Sequence, residues 1–268
     1  MIKHDEELLF GEDIQMDGFL IKNPTLTEIK EVSWDEYQNY IFMLGYKHFD
    51  KMVFLDSIDI DYEEFTNWDI FILIYLYIMK DENTPMRDSC NEGFKFFTGI
   101  DFDMYYEFGF EKLKEEVSKI ETFNLNDILN VIHKKSSHFY LKDSSGKIII
   151  DSVVFEDISN VIREINNIDT RQRKFSNSLT KKVAIAIEKN KMSNSDGLNI
   201  FNIARNVAWR NYSISILDIP KLTISQIYDG YKALIDIDNF NNVMSGLYSG
   251  TINSKSINVN KIHWANKK

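Results

Sequence analysis

Three pairs of aspartates spaced one residue apart, Asp59/Asp61, Asp101/Asp103 and Asp236/Asp238, are the groupings in this chain best suited to chemistry. Carboxylates that folding brings together can coordinate magnesium or calcium, and such a centre would support a metal-dependent hydrolase or nuclease. The first pair opens Asp59-Ile-Asp-Tyr-Glu-Glu64, which begins like a calcium loop. Glu64 then stands where that loop needs glycine for its turn, and Ile70 where it needs a bidentate glutamate. In a chain with 41 acidic residues, solvated or helix-capping aspartates are the simpler reading. Asp236 and Asp238 read as the stop and start of neighbouring helices.

The remaining chemistry-bearing residues form no pattern. The one cysteine, Cys90, would need a histidine beside it to act as a nucleophile, and histidines 4, 48, 133, 138 and 263 show no pairing that suggests one. A buried or idle thiol is expected. No glycine-rich phosphate loop, paired-cysteine motif or His-x-x-x-His zinc pair occurs. The expectation is therefore a non-enzymatic protein without cofactor or metal.

Binding residues are easier to nominate. Between 171 and 191 stand Arg171, Arg173, Lys174, Lys181, Lys182, Lys189 and Lys191 against one acid, Glu188. Read as a helix, this segment turns Phe175, Leu179, Val183 and Ala186 inward and its basic side outward. A basic face is the usual footprint for phosphates, but the pI is about 5.1 and no aromatic platform interleaves the charges. A solvated face or a dock for an acidic protein surface fits better than nucleic acid. Near the C-terminus, Thr223 is placed to cap a helix with Ile224, Ile227, Tyr228, Tyr231 and Leu234 on one face. That face needs a core or a partner, which makes Tyr228 and Tyr231 candidate contacts. Trp264 either anchors a partner or pins the tail.

The elements that must position these residues follow from periodicity and turn signals. Leu8–Gly11 and Gly18–Lys22 read as two short strands around a polar turn, followed by capping boxes at Thr25–Glu28 and Ser33–Glu36. The second box opens a helix through Leu44 with Tyr37, Tyr40, Ile41 and Leu44 on one side. Trp68 to Met79, twelve mostly apolar residues, reads as a buried helix, short of the roughly 18 to 20 that span a bilayer. Phe94 to Phe110 suits strand or irregular structure. A helix over 125–134 precedes a hairpin with its turn at Asp143–Gly146, and Asp151 or Ser152 caps a helix carrying Phe155, Ile158, Ile162 and Ile165. Helices are further expected over 198–209 and, after an Asp/Asn-rich break near 236–238, through Phe240, Val243, Met244, Leu247 and Tyr248.

These signals predict an α+β fold, mostly helical, with short N-terminal and central β-hairpins and a helical C-terminal half. Charge divides the chain similarly. Residues 1–132 carry 29 acids against 11 bases, net −18, and residues 133–268 carry 12 against 20, net +8. We divide it into an acidic region, 1–135, and a basic region, 136–268, expected to form one interdependent unit. The opposed charges suit either attraction between the halves or a charged partner. A single cysteine and a start without signal-peptide layout point to a reducing cytoplasm, with no membrane role.

In order and spacing, several segments resemble a known family. They are Asn23-Pro-Thr-Leu-Thr-Glu-Ile29 with 37–44, Phe94-Lys-Phe-Phe97, the central hairpin with Phe155-Glu-Asp-Ile158, the basic helix, 222–234, and His263-Trp264. Together they look like tail-module proteins of phages and prophages of Gram-positive bacteria. One segment departs: Glu164-Ile-Asn-Asn-Ile-Asp-Thr170 lacks the Cys-Gln-Asn ending of such relatives. The resemblance implies tail morphogenesis in the host cytoplasm, as an assembly chaperone for the tail tube or tape-measure protein. It implies no catalytic residues. The alternatives are a structural component of the finished tail or baseplate and, more remotely, the metal-dependent hydrolase or nuclease that the aspartate pairs would allow.

Overall fold

Local capping signals decide where most helices begin, and they are strongest at the N-terminal end. The computed structural model describes residues 4–16, 18–75, 85–100, 124–135, 140–142, 148–169, 175–194, 199–210, 214–253 and 257–266. Helix α1 (Asp5–Phe10) has three acids in its first turn, which favour the helix dipole, and stops at Gly11 in the left-handed conformation. Leu8–Gly11 is therefore a helix end and not the expected strand. The N-terminal hairpin lies just beyond it, β1 (Ile14–Met16) antiparallel to β2 (Phe19–Ile21), with the buried Ile14 opposite the buried Ile21.

Thr25 and Glu28 form the full capping box of α2 (Leu26–Val32). Ser33 accepts from the Glu36 N–H to open α3 (Trp34–Tyr40), which runs on into a π-helical turn, Ile41–Gly45. Tyr37, Tyr40, Ile41 and Leu44 are all buried, as their spacing predicts. After α4 (Met52–Ser57), a second full box, Thr66 with Asp69, starts α5 (Asn67–Leu73), in which every residue is buried. The remainder of the expected 68–79 helix past Tyr75 lies outside the described residues.

Helix α6 (Pro85–Thr98) corrects the expectation for Phe94 onward. Cys90, Phe94 and Phe97 fall at i, i+4 and i+7 and are all fully buried, so the aromatics there follow helical and not strand spacing. Residues 101–110 lie outside the described residues. Helix α7 (Leu125–Lys135) leads to β3 (Leu141–Lys142) and β4 (Ile148–Ile150), the two antiparallel strands of the central hairpin, whose turn is outside the described residues. Asp151 accepts from the N–H groups of Val153 and Val154 to cap α8 (Ser152–Ile165). Then come α9 (Ser178–Asn194), α10 (Ile200–Arg210), a short 3-10 turn at Ile219–Lys221, α11 (Ile224–Tyr248) and α12 (Val259–Ile262). The fold is α+β and mostly helical.

Helix α11 overturns the expected break at Asp236–Asp238. Its 25 residues run unbroken, because Asp and Asn in a helix interior each cost only a few tenths of a kcal/mol relative to good formers, and no proline interrupts them. Asp236 and Asp238 are mid-helix residues, and neither is a cap.

One hydrophobic core draws on both halves of the chain. Trp68 and Phe71 of α5 meet Phe155 of α8 with centroids 4.9 and 4.7 Å apart, and Phe94 of α6 closes on Phe71 at 5.7 Å. Gly45 sits so close to α8 that a Cβ there would lie 3.0 Å from the Ile162 side chain. The N-termini of α2 and α11 also clasp each other. Leu26 N–H donates to Leu222 O at 3.0 Å, and Ile224 N–H donates to Pro24 O at 2.9 Å.

Candidate protein-binding surfaces

The basic helix α9 is rotated relative to the expected phase. Lys181, Ala184, Ile185 and Glu188 turn inward, whereas Leu179, Val183 and Ile187 are 70%, 51% and 49% exposed and Ala186 is exposed beside them. Only Phe175, before the helix, packs inward as expected. Charge explains the phase. Lys181 Nζ lies 2.9 Å from Glu63 and 3.3 Å from Asp61, and 4.4 Å from the centre of the Tyr62 ring. Burial opposes its charge, but the bonds to Glu63 and Asp61 prevail and hold its pKa above the ordinary lysine value. Lys189 pairs with Asp56 at 3.0 Å and Lys191 with Glu188 at 3.0 Å. The basic helix thus docks on the acidic half of the same chain, and its basic side does not simply face out. Lys182 is exposed, and Arg171, Arg173 and Lys174 lie outside the described residues.

The aspartate pairs take structural roles where they are described. Asp59 holds a positive φ of 54°, and Asn126 secures this turn by donating to Asp59 O at 2.8 Å and accepting from Asp61 N–H at 3.0 Å. Asp238 pairs with Arg210. Asp101 and Asp103 lie outside the described residues. Among the described residues no three His, Cys, Asp or Glu side chains group as metal ligands.

On α11 the predicted face is real. Ile224 and Ile227 are buried, and Tyr228, Tyr231 and Leu234 pack against the core, half-buried. Burial, with Tyr46 nearby, pushes the Tyr228 hydroxyl up to about 12, so this side chain serves mainly the interior. Beyond Leu234 none of the described residues is buried. The tail folds back on this distal part: Ile252 packs on Gly246, His263 meets the Phe240 ring at 4.8 Å, and Trp264 stacks on His263 at 5.5 Å. Trp264 itself remains 47% exposed, so the tail is pinned through His263 to α11 and not through Trp264 to the core.

A cleft of about 600 Å³ opens among Phe42, Tyr46, Phe49, Phe54 and Ile168. Lys51 lines it, buried, donating to Tyr46 O at 2.6 Å and Met43 O at 3.2 Å, the carbonyls at the end of the π-helical turn. Burial lowers its pKa to about 7, against the pull of Asp50.

The end of α9, α10, α11 and the tail fall within one recognisable stretch. Residues 188–268 match the family model described as the YomV second domain. That family is associated with phages and prophages, and no tail-specific role comes with the match. The YomV-like stretch begins within α9, just after the Leu179–Ile187 stripe, and holds the whole of α11. No curated protein and no solved structure matches the chain. Among the described residues no helix is long and apolar enough to cross a membrane.

What sequence reasoning missed was the outer stripe of α9. Its signal was present: Leu179, Val183, Ala184, Ile185, Ala186 and Ile187 surround the helix on all sides, and a helix apolar all round is normally covered on all sides.

Proposed function

We propose that the protein is a phage or prophage tail morphogenesis factor that works by binding and not by catalysis, as an assembly chaperone for the tail tube or tape-measure protein in the host cytoplasm. The observation that carries this reading is the Leu179/Val183/Ile187 stripe. It stands on a helix whose opposite face is already fixed by Lys181, Ile185 and the acidic residues 56–63, so the stripe is free to take a partner. The match over 188–268 supports a phage setting, and the resemblance of segments along most of the chain to tail-module proteins supports the tail. Nucleic acid is not among the proposed partners, because Asp61, Glu63 and Asp56 engage Lys181 and Lys189.

The apolar, unburied distal part of α11 favours a second reading, a structural component kept in the finished tail, where such surfaces become permanent interfaces. Pull-down of the tagged protein from induced cells, beside mass spectrometry of purified particles, separates the two. A chaperone captures tube or tape-measure protein and is absent from particles. A structural component is present in particles at fixed stoichiometry. Failure to capture either protein removes the chaperone reading.

A further inference from the structure

We propose that the groove between α1, the end of α8 and the start of α11 holds an amphipathic, Lys- or Arg-bearing segment of the protein's binding partner. The identity of that partner rests on the assembly-factor reading; the chemistry of the groove does not. Its volume is about 360 Å³, and its floor is apolar, built from Leu8, Ile165 and the half-buried Tyr228, with the 59% exposed Leu9 at the edge.

The rim is acidic and comes from three separate helices. Asp5 and Glu6 belong to α1, Glu164 to α8 and Asp229 to α11, against a single base, Lys232. Acids in a first helical turn are explained by the dipole, which accounts for Asp5 and Glu6 alone. Glu164 and Asp229 sit elsewhere on their helices and still converge here. Asp5, Glu6 and Asp229 make no ion pair with any described residue, in contrast to Asp56, Asp61 and Glu63, which the chain's own lysines neutralise. An apolar floor edged by Asp5, Glu6 and Asp229, none of them ion-paired with a described residue, is complementary to a helix with apolar anchors on one face and lysines or arginines beside them.

The walls are already tied together. Gln226 Nε2 donates to Leu9 O at 3.1 Å, Ser225 Oγ to Leu8 O at 3.1 Å, and Asn23 Nδ2 to Ser225 Oγ at 2.8 Å. The short α1 is thus held against α11 by its carbonyls.

The test is a fluorescence-anisotropy titration of the intact chain with a short labelled amphipathic peptide built from leucine and lysine, beside a leucine/glutamate counterpart. The Leu/Lys peptide is expected to bind and its counterpart not to. Reversing Glu6→Lys and Asp229→Lys together should weaken binding at least about tenfold, as should raised salt, while Glu31→Lys with Asp35→Lys, exposed acids outside the groove, should leave it unchanged. Leu9→Ser, exposed enough to leave the fold intact, should weaken it several-fold. Equal loss in both charge-reversed proteins, or loss in neither, overturns the proposal. So does a dimer in sedimentation that Glu6→Lys/Asp229→Lys dissolves, since the occupant would then be a second copy. Tail-protein capture unaffected by Glu6→Lys/Asp229→Lys would contradict the groove and leave the chaperone reading standing; peptide binding without tail-protein capture would do the reverse.

Discussion

At the scale of single residues, two buried cations around the π-helical turn set the sharpest predictions. Lys51 has its pKa lowered by burial to about 7, so the folded protein binds fewer protons there than the unfolded chain at any higher pH up to the ordinary lysine range. Stability must therefore rise with pH above about 7, by at most ~1.4 kcal/mol per pH unit. Denaturant midpoints at pH 7 and pH 9 should show the rise, and Lys51→Met should abolish it. Arg163, 2% exposed, donates to Gly45 O at 3.2 Å and to the Asp50 carboxylate and Asp169 O. Arg163→Leu preserves bulk but leaves Asp50 without its countercharge, and urea unfolding should report a loss of about 3–5 kcal/mol. Residue roles set by local chemistry, such as the Thr25–Glu28 box, were legible in the sequence. Those of Lys51 and Arg163 were not, because their partners are mainly backbone carbonyls exposed by a turn that no sequence periodicity announces.

At the scale of elements, α9 shows how a helix with apolar residues on every side is oriented by charge. Periodicity turned Leu179, Val183 and Ala186 inward, and the acids at 56, 61 and 63, more than a hundred residues earlier, draw a different face onto the chain. That choice is invisible locally. It leaves Leu179, Val183 and Ile187 outside, so replacing all three by serine should change folding stability by no more than about 0.5 kcal/mol per site, since surface substitutions seldom do more. The same triple variant should lose capture of the tail protein. Thermal melts run beside the pull-down check both halves of this expectation; a large fall in melting temperature would mean that the stripe serves the core. The failure to foresee an unbroken α11 has a simpler cause, since Asp and Asn weaken a helix without stopping it.

For the whole molecule, the opposed charges of the two halves are met in part within the chain, through α9 and the segment 56–63. The halves are also joined by the clasp of Thr25 and Thr223, where two helix starts exchange backbone hydrogen bonds. Mostly helical architecture, the central hairpin and the second strand of the N-terminal one could be read from spacing and turn residues, whereas the first N-terminal strand lies at Ile14–Met16 and not at the expected Leu8–Gly11. The clasp could not, because a bridge between residues nearly two hundred apart leaves no mark on either neighbourhood. Tyr228 illustrates the same limit at the candidate site: its face was evident, but only packing shows that it serves the interior more than a partner.

The central claim is that the protein holds an unassembled tail subunit through exposed apolar helix surface. Light scattering of purified cognate tube subunit during polymerisation tests it most directly. Stoichiometric wild-type protein should lengthen the lag, and the Leu179→Ser/Val183→Ser/Ile187→Ser variant should not. An unchanged lag with wild-type protein, for the tube subunit and for the tape-measure protein's own aggregation alike, would contradict the account.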